Sequence, residues 1–202
     1  MSRFARSFSG CLALLAVAAA GQEQTYEANC QELYGNLQDD EQNCEGFRFS
    51  DGVNDVTGGL ARISGLEFDD NLVRITGGVH LTFGTTEVLA DEALLRFEGD
   101  ELVHGELAGN PVEMSDYIAE RDATVRGTAQ SISYDNRAGT LSLNGRSTLA
   151  VGDNAFMGCD WVYNFIEQSY EAGASDDCSG VQFRLTPPPD DDGDPEIPPP
   201  AP

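Results

Sequence analysis

The sequence predicts an all-β fold, and three observations lead to this prediction. Apolar residues alternate with polar or small ones along the middle of the chain, as in the run from Val73 to Phe83. This is the period of a strand with one buried face. Turn-forming residues recur every 8 to 12 residues, and one 25-residue segment is repeated. Together they are typical of an antiparallel sandwich, barrel or coil.

Glycine, asparagine and aspartate mark the predicted turns between short strands. The predicted turns are Asp69-Asp70-Asn71, Gly77-Gly78, Gly84, Gly99-Asp100, Gly109-Asn110-Pro111, 136–139, Asn144-Gly145 and Gly152-Asp153-Asn154.

The repeat relates the segment 73–97 to the segment 141–165 without a gap, at an offset of 68 residues. Apolar residues align with apolar ones, and Gly77 and Gly84 align with Gly145 and Gly152. A short unit that cannot bury its own apolar face predicts stacked β layers enclosing one long trough.

Composition divides the chain into four regions. Residues 1–20 have a basic start and a short apolar run that ends in Ala18-Ala19-Ala20, which predicts a cleavable signal peptide. Residues 21–45 form an acidic flank, residues 46–186 the β domain, and residues 187–202 a Pro- and Asp-rich tail for which we expect disorder.

The chain is strongly acidic, and all of its eleven basic residues are arginine. Loss of the signal peptide would remove two of them and change the net charge from −24 to −26. Such a charge argues against nucleic acid and anionic membrane surfaces as electrostatic partners. We interpret the acidity as an adaptation for solubility.

Four cysteines remain beyond the signal peptide: Cys30, Cys44, Cys159 and Cys178. An even number in an exported chain predicts two disulfides, for which three connectivities are possible. Proximity favours Cys30–Cys44 and Cys159–Cys178. No histidine lies near a cysteine pair, so the spacing does not resemble a zinc site.

The pieces "VRITGGVHLTFGTTEVLADEALLRFEGDEL", "GELAGNPVEM", "VRGTAQSISYDNRAGTLSLNG" and "AVGDNAFMGCDWVYNF" occur in this order. They resemble the periplasmic lipopolysaccharide-transport bridge proteins of the LptA/OstA-like family over about residues 60–170. The resemblance implies an antiparallel β-jelly-roll, or β-taco, whose two walls enclose an apolar slot. It also implies a periplasmic carrier that shields lipid A acyl chains between the inner and outer membranes during outer-membrane assembly.

The implied partners are lipopolysaccharide and the inner- and outer-membrane transport components, which would bind through edge strands. Head-to-tail self-association is implied as well. The alternative hypothesis is a structural β-coil that stacks with envelope proteins while its own side chains fill the trough.

The alternation predicts which side chains face the slot, where they would contact lipid or form an ordinary core. These residues are Val73, Ile75, Val79, Leu81, Phe83, Val88, Leu95, Phe97, Val125, Ile132, Tyr134, Leu141, Leu143, Leu149, Val151, Phe156, Trp161, Tyr163 and Phe165.

Patterns for catalysis or for cofactor binding are absent from the sequence, and we predict neither an enzyme nor a cofactor or metal site. His80 and His104 lie between apolar residues in alternating runs and should face outward. Asp91 and Glu92 interrupt the alternation, which predicts a bulge or corner. Cys159 aligns with Asp91 in the repeat, so we expect it at a corner too.

Overall fold

The computed structural model describes residues 27–36, 38, 41–64, 71–99, 101–172 and 180–186. Within them the fold is an antiparallel sheet with a single turn of 3-10 helix at Ala119–Arg121. The strands are β1 (Glu27–Asn29), β2 (Glu32–Asn36), β3 (Glu41–Ser50), β4 (Asn54–Ser64), β5 (Asn71–Phe83), β6 (Thr86–Glu98), β7 (Glu101–Ile118), β8 (Ala123–Asp135), β9 (Thr140–Val151), β10 (Asn154–Asn164), β11 (Ser169–Ala172) and β12 (Gln182–Arg184).

The eight long strands β3 to β10 follow one another across the sheet in chain order, each paired with the next. Two short strands cover each outer strand: β1 and β2 lie along β3, and β11 and β12 lie along β10. The boundary predicted at residue 46 therefore falls inside β3, and part of the acidic flank belongs to the sheet. The signal peptide and the tail from residue 187 lie outside the described residues.

Bulges interrupt the middle of the long strands, in every pair from β4–β5 to β9–β10. The turns predicted at Gly77-Gly78, Gly109-Asn110-Pro111 and Asn144-Gly145 were wrong, because these residues lie inside β5, β7 and β9. A positive φ suits a bulge as well as a turn, and Gly77 and Gly78 have φ of 84° and 85°. The strands are therefore longer than the turn pattern predicted.

The bulge predicted at Asp91-Glu92 is confirmed by a register shift between β6 and β7 at Leu89/Glu92. Cys159 lies at the corresponding shift between β9 and β10, as its alignment with Asp91 predicted. At an offset of 68, β5 and β6 correspond to β9 and β10. The repeated unit is thus a hairpin that recurs four strands later.

The predicted disulfide between Cys30 and Cys44 is confirmed. It ties the junction of β1 and β2 to the middle of β3. Cys159 is also disulfide-bonded, and its expected partner Cys178 lies outside the described residues. Half-cystines therefore occupy the middle of both outer long strands.

Candidate functional site

The bulges keep one face of each strand from β4 to β10 turned toward a common interior. In β6 the buried positions are Thr86 and Val88 before the bulge and Ala93, Leu95 and Phe97 after it. The inward positions thus change from even to odd numbers at Asp91-Glu92. An unbroken alternation would have turned one half of the strand outward. We call the interior between the two halves of the sheet the slot.

The nineteen residues predicted for the slot all lie in this interior. Sixteen are buried, and Val151, Phe156 and Phe165 are partly buried and packed against them.

Most of the buried apolar residues that the prediction missed lie outside the repeat. Alternation in β3 and β4 was the available signal for Phe47, Phe49 and Val56. In β7, the bulge around Pro111 hides the pattern. The missed inward residues of β7 are Leu102, Leu107, Val112, Met114 and Ile118.

Two rims border the slot at the ends of the long strands. The first rim comprises the turns after β3, β5, β7 and β9 with the strand ends beside them, and the second comprises the turns after β6, β8 and β10 with the strand ends beside those. A flat thirteen-residue strand would hold its ends about 40 Å apart. The ends nevertheless touch, so the sheet folds over along its bulges. We call the line of contact the seam.

Two tyrosines of the second rim donate hydrogen bonds across the seam. Tyr134 Oη shares its one proton between Asn54 Oδ1 at 2.9 Å and Asn136 Oδ1 at 3.0 Å, and the strands of Asn54 and Tyr134, β4 and β8, are separated by three strands. Tyr163 Oη donates to Asp116 Oδ2, and β7 and β10 are separated by two strands. The bonds to Asn54 and Asp116 join strands that are not neighbours in the sheet.

The acceptors of these bonds are held by local hydrogen bonds of the first rim. The carboxylate of Asp51 accepts the backbone N–H of Asn54 at 2.6 Å and its side-chain amide at 2.8 Å. Asp116 Oδ1 accepts the hydroxyl of Thr85 at 2.6 Å. Both acceptors are therefore oriented toward the opposite rim.

Burial raises the pKa of both seam tyrosines above the usual value of about 10, so their hydroxyls stay protonated into the alkaline range. Burial is the largest cause for Tyr134, and the nearby charges of Asp51, Glu101 and Asp135 add to it. For Tyr163, burial is followed by its hydrogen bond with Asp116 and by the charge of that carboxylate. Both hydroxyls are consequently donors at neutral pH.

Aromatic rings pack across the same seam. Phe49 meets Phe97 edge to face with ring centres 4.8 Å apart. Phe83 of the first rim packs on Tyr134 and Phe165 of the second, at 4.8 and 4.6 Å.

A cavity of about 250 Å³ opens at this aromatic cluster and has amide and hydroxyl groups at its edge. Its lining residues are Val53, Asn54, Phe83, Gly84, Thr85, Thr86, Tyr134, Asn136 and Phe165.

The outer face of the sheet is mostly polar, with single exposed apolar side chains such as Leu89 and Met157. His80 and His104 are exposed there, as the alternation predicted, beside Glu87 and Glu106. Within the described ranges, no cluster of ligating side chains could hold a metal ion. Helices with the length and apolar character to cross a membrane are not found in that part of the chain. The apolar slot is thus the candidate functional site.

The comparison with family models agrees with the resemblance noted in the sequence. A family model described as LptA/(LptD N-terminal domain) LPS transport protein matches residues 63–169. Among solved structures, the chain is similar to LptH of Pseudomonas aeruginosa, the LptA homologous periplasmic component of the lipopolysaccharide transport device. The identity is 12%, the alignment covers 82% of this chain and 97% of LptH, and the TM-score is 0.44. No curated protein matches the sequence.

Proposed function

The chain belongs to the LptA/(LptD N-terminal domain) family of LPS transport proteins, and we propose that it is a periplasmic carrier for lipopolysaccharide. The acyl chains of lipid A would lie in the slot, and the sugar head group would remain outside. A cleavable signal peptide at residues 1–20 would direct export. The protein would move lipid from the inner to the outer membrane without any chemistry on it.

The observation that carries this proposal is the continuous apolar interior. It extends across the sheet from β3 to β10, and every one of these strands contributes buried apolar side chains. Burying one methylene contributes about 0.8 kcal/mol. An interior lined by side chains such as Leu81, Leu143 and Leu149 offers acyl chains the environment that they prefer.

Lipid must part the seam, since the side chains of the slot pack against one another without it. Two hydrogen bonds, one of them to the carboxylate of Asp116, contribute about 2–4.5 kcal/mol together, and three ring pairs add about 1.5–4.5 kcal/mol. Ten buried methylenes would contribute about 8 kcal/mol. Burial of a single acyl chain is thus comparable in free energy to the opening of the seam.

The charge of the domain favours a head group that stays outside. Residues 46–189 hold nine arginines and 23 acidic residues. Phosphates on a bound lipid would be repelled by this surface unless divalent cations lie between them. Only the neutral acyl chains can enter the slot without this cost.

The sheet edges are the proposed docking surfaces for the transport components of both membranes and for head-to-tail self-association. Unpaired strand edges accept a further strand through backbone hydrogen bonds. At one edge the new strand would lie along β1 and β2, and at the other along β11 and β12.

A structural adaptor is the second candidate function. It is favoured by the packing of the slot, where Leu81, Leu107, Ile132 and Leu143 are fully buried by neighbouring side chains. Such a protein would stack with envelope partners through its edges and carry no lipid.

Lipid extraction distinguishes the two candidates. The mature protein is expressed in the periplasm of a lipopolysaccharide-producing bacterium, and its extract is analysed by mass spectrometry. The carrier predicts lipid A species in near-stoichiometric amount. A lipid-free protein that also fails to bind added lipopolysaccharide would leave the adaptor as the function.

A further inference from the structure

Two buried polar atoms of the slot have no hydrogen-bond partner among the described residues. They are the indole Nε1 of Trp161 and the hydroxyl oxygen of Ser147. The exposed fractions of the two residues are 2% and 1%. A buried polar group without a partner costs about 1–3 kcal/mol, and such groups in proteins commonly serve a ligand or an ordered water.

The two atoms face the same part of the slot. Ser147 on β9 lies directly opposite Gly158 on β10. Opposed side chains of an antiparallel pair share a face and have Cβ atoms about 4.5–5.5 Å apart. Gly158 has no side chain, and the indole folds over it. A Cβ at Gly158 would stand 3.2 Å from the indole nitrogen.

The surroundings of this pair are aromatic and lie near the end of the slot at β11 and β12. The ring centres of Phe156 and Tyr170 are 6.1 and 5.9 Å from that of Trp161. Val181, which would touch a Cβ at Gly158, is 38% exposed. A ligand here could bury an apolar chain while its polar end remains in solvent.

We propose that Trp161 and Ser147 form a subsite for one oxygen atom of an acyl chain, either an ester carbonyl or a hydroxyl. The indole N–H donates to this oxygen, and the serine hydroxyl donates to a carbonyl or accepts from a hydroxyl. This inference rests on the proposed function, since it concerns acyl chains in the slot. It adds that the slot prefers acyl chains that carry an ester carbonyl or a hydroxyl at this position.

Two soluble amphiphiles test the subsite: lysophosphatidylcholine with an ester-linked chain and its ether-linked analogue of equal length. They share a head group without net charge and differ in the carbonyl oxygen. Trp161 is the single tryptophan of the chain, so its fluorescence reports binding at the subsite. We expect the ester to bind about three- to tenfold more tightly and to shift the emission to longer wavelength than the ether does.

The variant Ser147→Ala should lose most of this preference without lowering the melting temperature, because it removes an unpaired hydroxyl. Ser142→Ala, on the outer face of the same strand, is the matched control and should retain the preference.

Equal binding of both lipids by the wild-type protein would mean that a buried water alone occupies the subsite, and would overturn the inference while leaving the carrier function intact. A preference unchanged by Ser147→Ala would also overturn it. Binding of neither lipid would count against the carrier function itself and would remove the basis of the subsite.

Discussion

At the scale of single residues, the seam depends on a few polar atoms that the proposed entry of lipid would have to separate. Asp116 is 2% exposed, and its two oxygens accept hydroxyl hydrogen bonds from Thr85 and Tyr163. Asn54 is 1% exposed and accepts from Tyr134. These hydrogen bonds fix the geometry of the closed seam, yet breaking them costs only a few kcal/mol of free energy.

Removal of one seam hydroxyl should weaken the closed state. We expect Tyr163→Phe to lower the free energy of unfolding by about 1–3 kcal/mol, because a buried carboxylate loses a donor. The same variant should take up lipid faster. Urea denaturation and the rate of fluorescence change after mixing with lipid measure the two effects.

Tyr117→Phe is the matched control for this variant. Tyr117 is 46% exposed, and its hydroxyl donates to Asp122 at 3.0 Å outside the slot. Its loss should change stability by less than about 0.5 kcal/mol. Equal effects of the two substitutions would contradict the prediction that the hydrogen bond of Tyr163 stabilises the closed seam.

The raised pKa values of Tyr134 and Tyr163 predict a loss of stability at alkaline pH. A folded-state pKa above the unfolded value means that the unfolded chain releases its proton first as the pH rises. Stability should be unaffected by these groups below about pH 10 and fall above it, by up to about 1.4 kcal/mol per pH unit for each tyrosine.

The chain contains no lysine, so no lysine titration overlaps with that of the tyrosines in the alkaline range. Urea midpoints measured from pH 8 to 11 should fall less steeply for Tyr134→Phe and Tyr163→Phe than for the wild-type protein. Parallel slopes for all three proteins would show that these hydroxyls do not govern the alkaline transition.

At the scale of elements, the row of bulges makes one folded sheet out of eight long strands. Gly77 in β5 and Gly145 in β9 occupy equivalent positions of the repeat and have φ of 84° and 76°. The repeated glycine thus marks the place where the sheet bends.

The bend predicts the effect of a substitution at Gly77. A Cβ there would meet the Cα of Gly59 at 3.4 Å, an ordinary contact. Gly77→Ala should therefore destabilise through backbone strain alone, by about 1–2 kcal/mol in urea denaturation. Gly77→Asn should cost less, since asparagine tolerates a positive φ better. Alanine without any cost would contradict the strained bulge.

The sequence predicted the elements only in part, for physical reasons that differ between residues. Alternation predicted the inward faces, and the break at Asp91 predicted a bulge, because both depend on local period. Gly77 was assigned to a turn, since its conformational freedom serves a turn and a bulge equally. The contact of Tyr134 with Asn54 spans 80 residues, and local patterns contain no signal for it.

At the scale of the whole molecule, the fold separates an apolar interior from a strongly acidic exterior. The family and the apolar slot support a lipid carrier, whereas the packing of the slot without lipid is compatible with an adaptor. The two accounts differ in one respect, which is whether the inward side chains ever contact lipid.

Site-specific photo-crosslinking answers this question most directly. A photoreactive residue is placed at the inward positions Phe83 and Phe156 and, as controls, at Leu89 and Met157, which are each 47% exposed. In cells that transport lipopolysaccharide, the carrier account predicts crosslinks at the two inward positions and few at the controls. Active transport without any crosslink at Phe83 or Phe156 would contradict it.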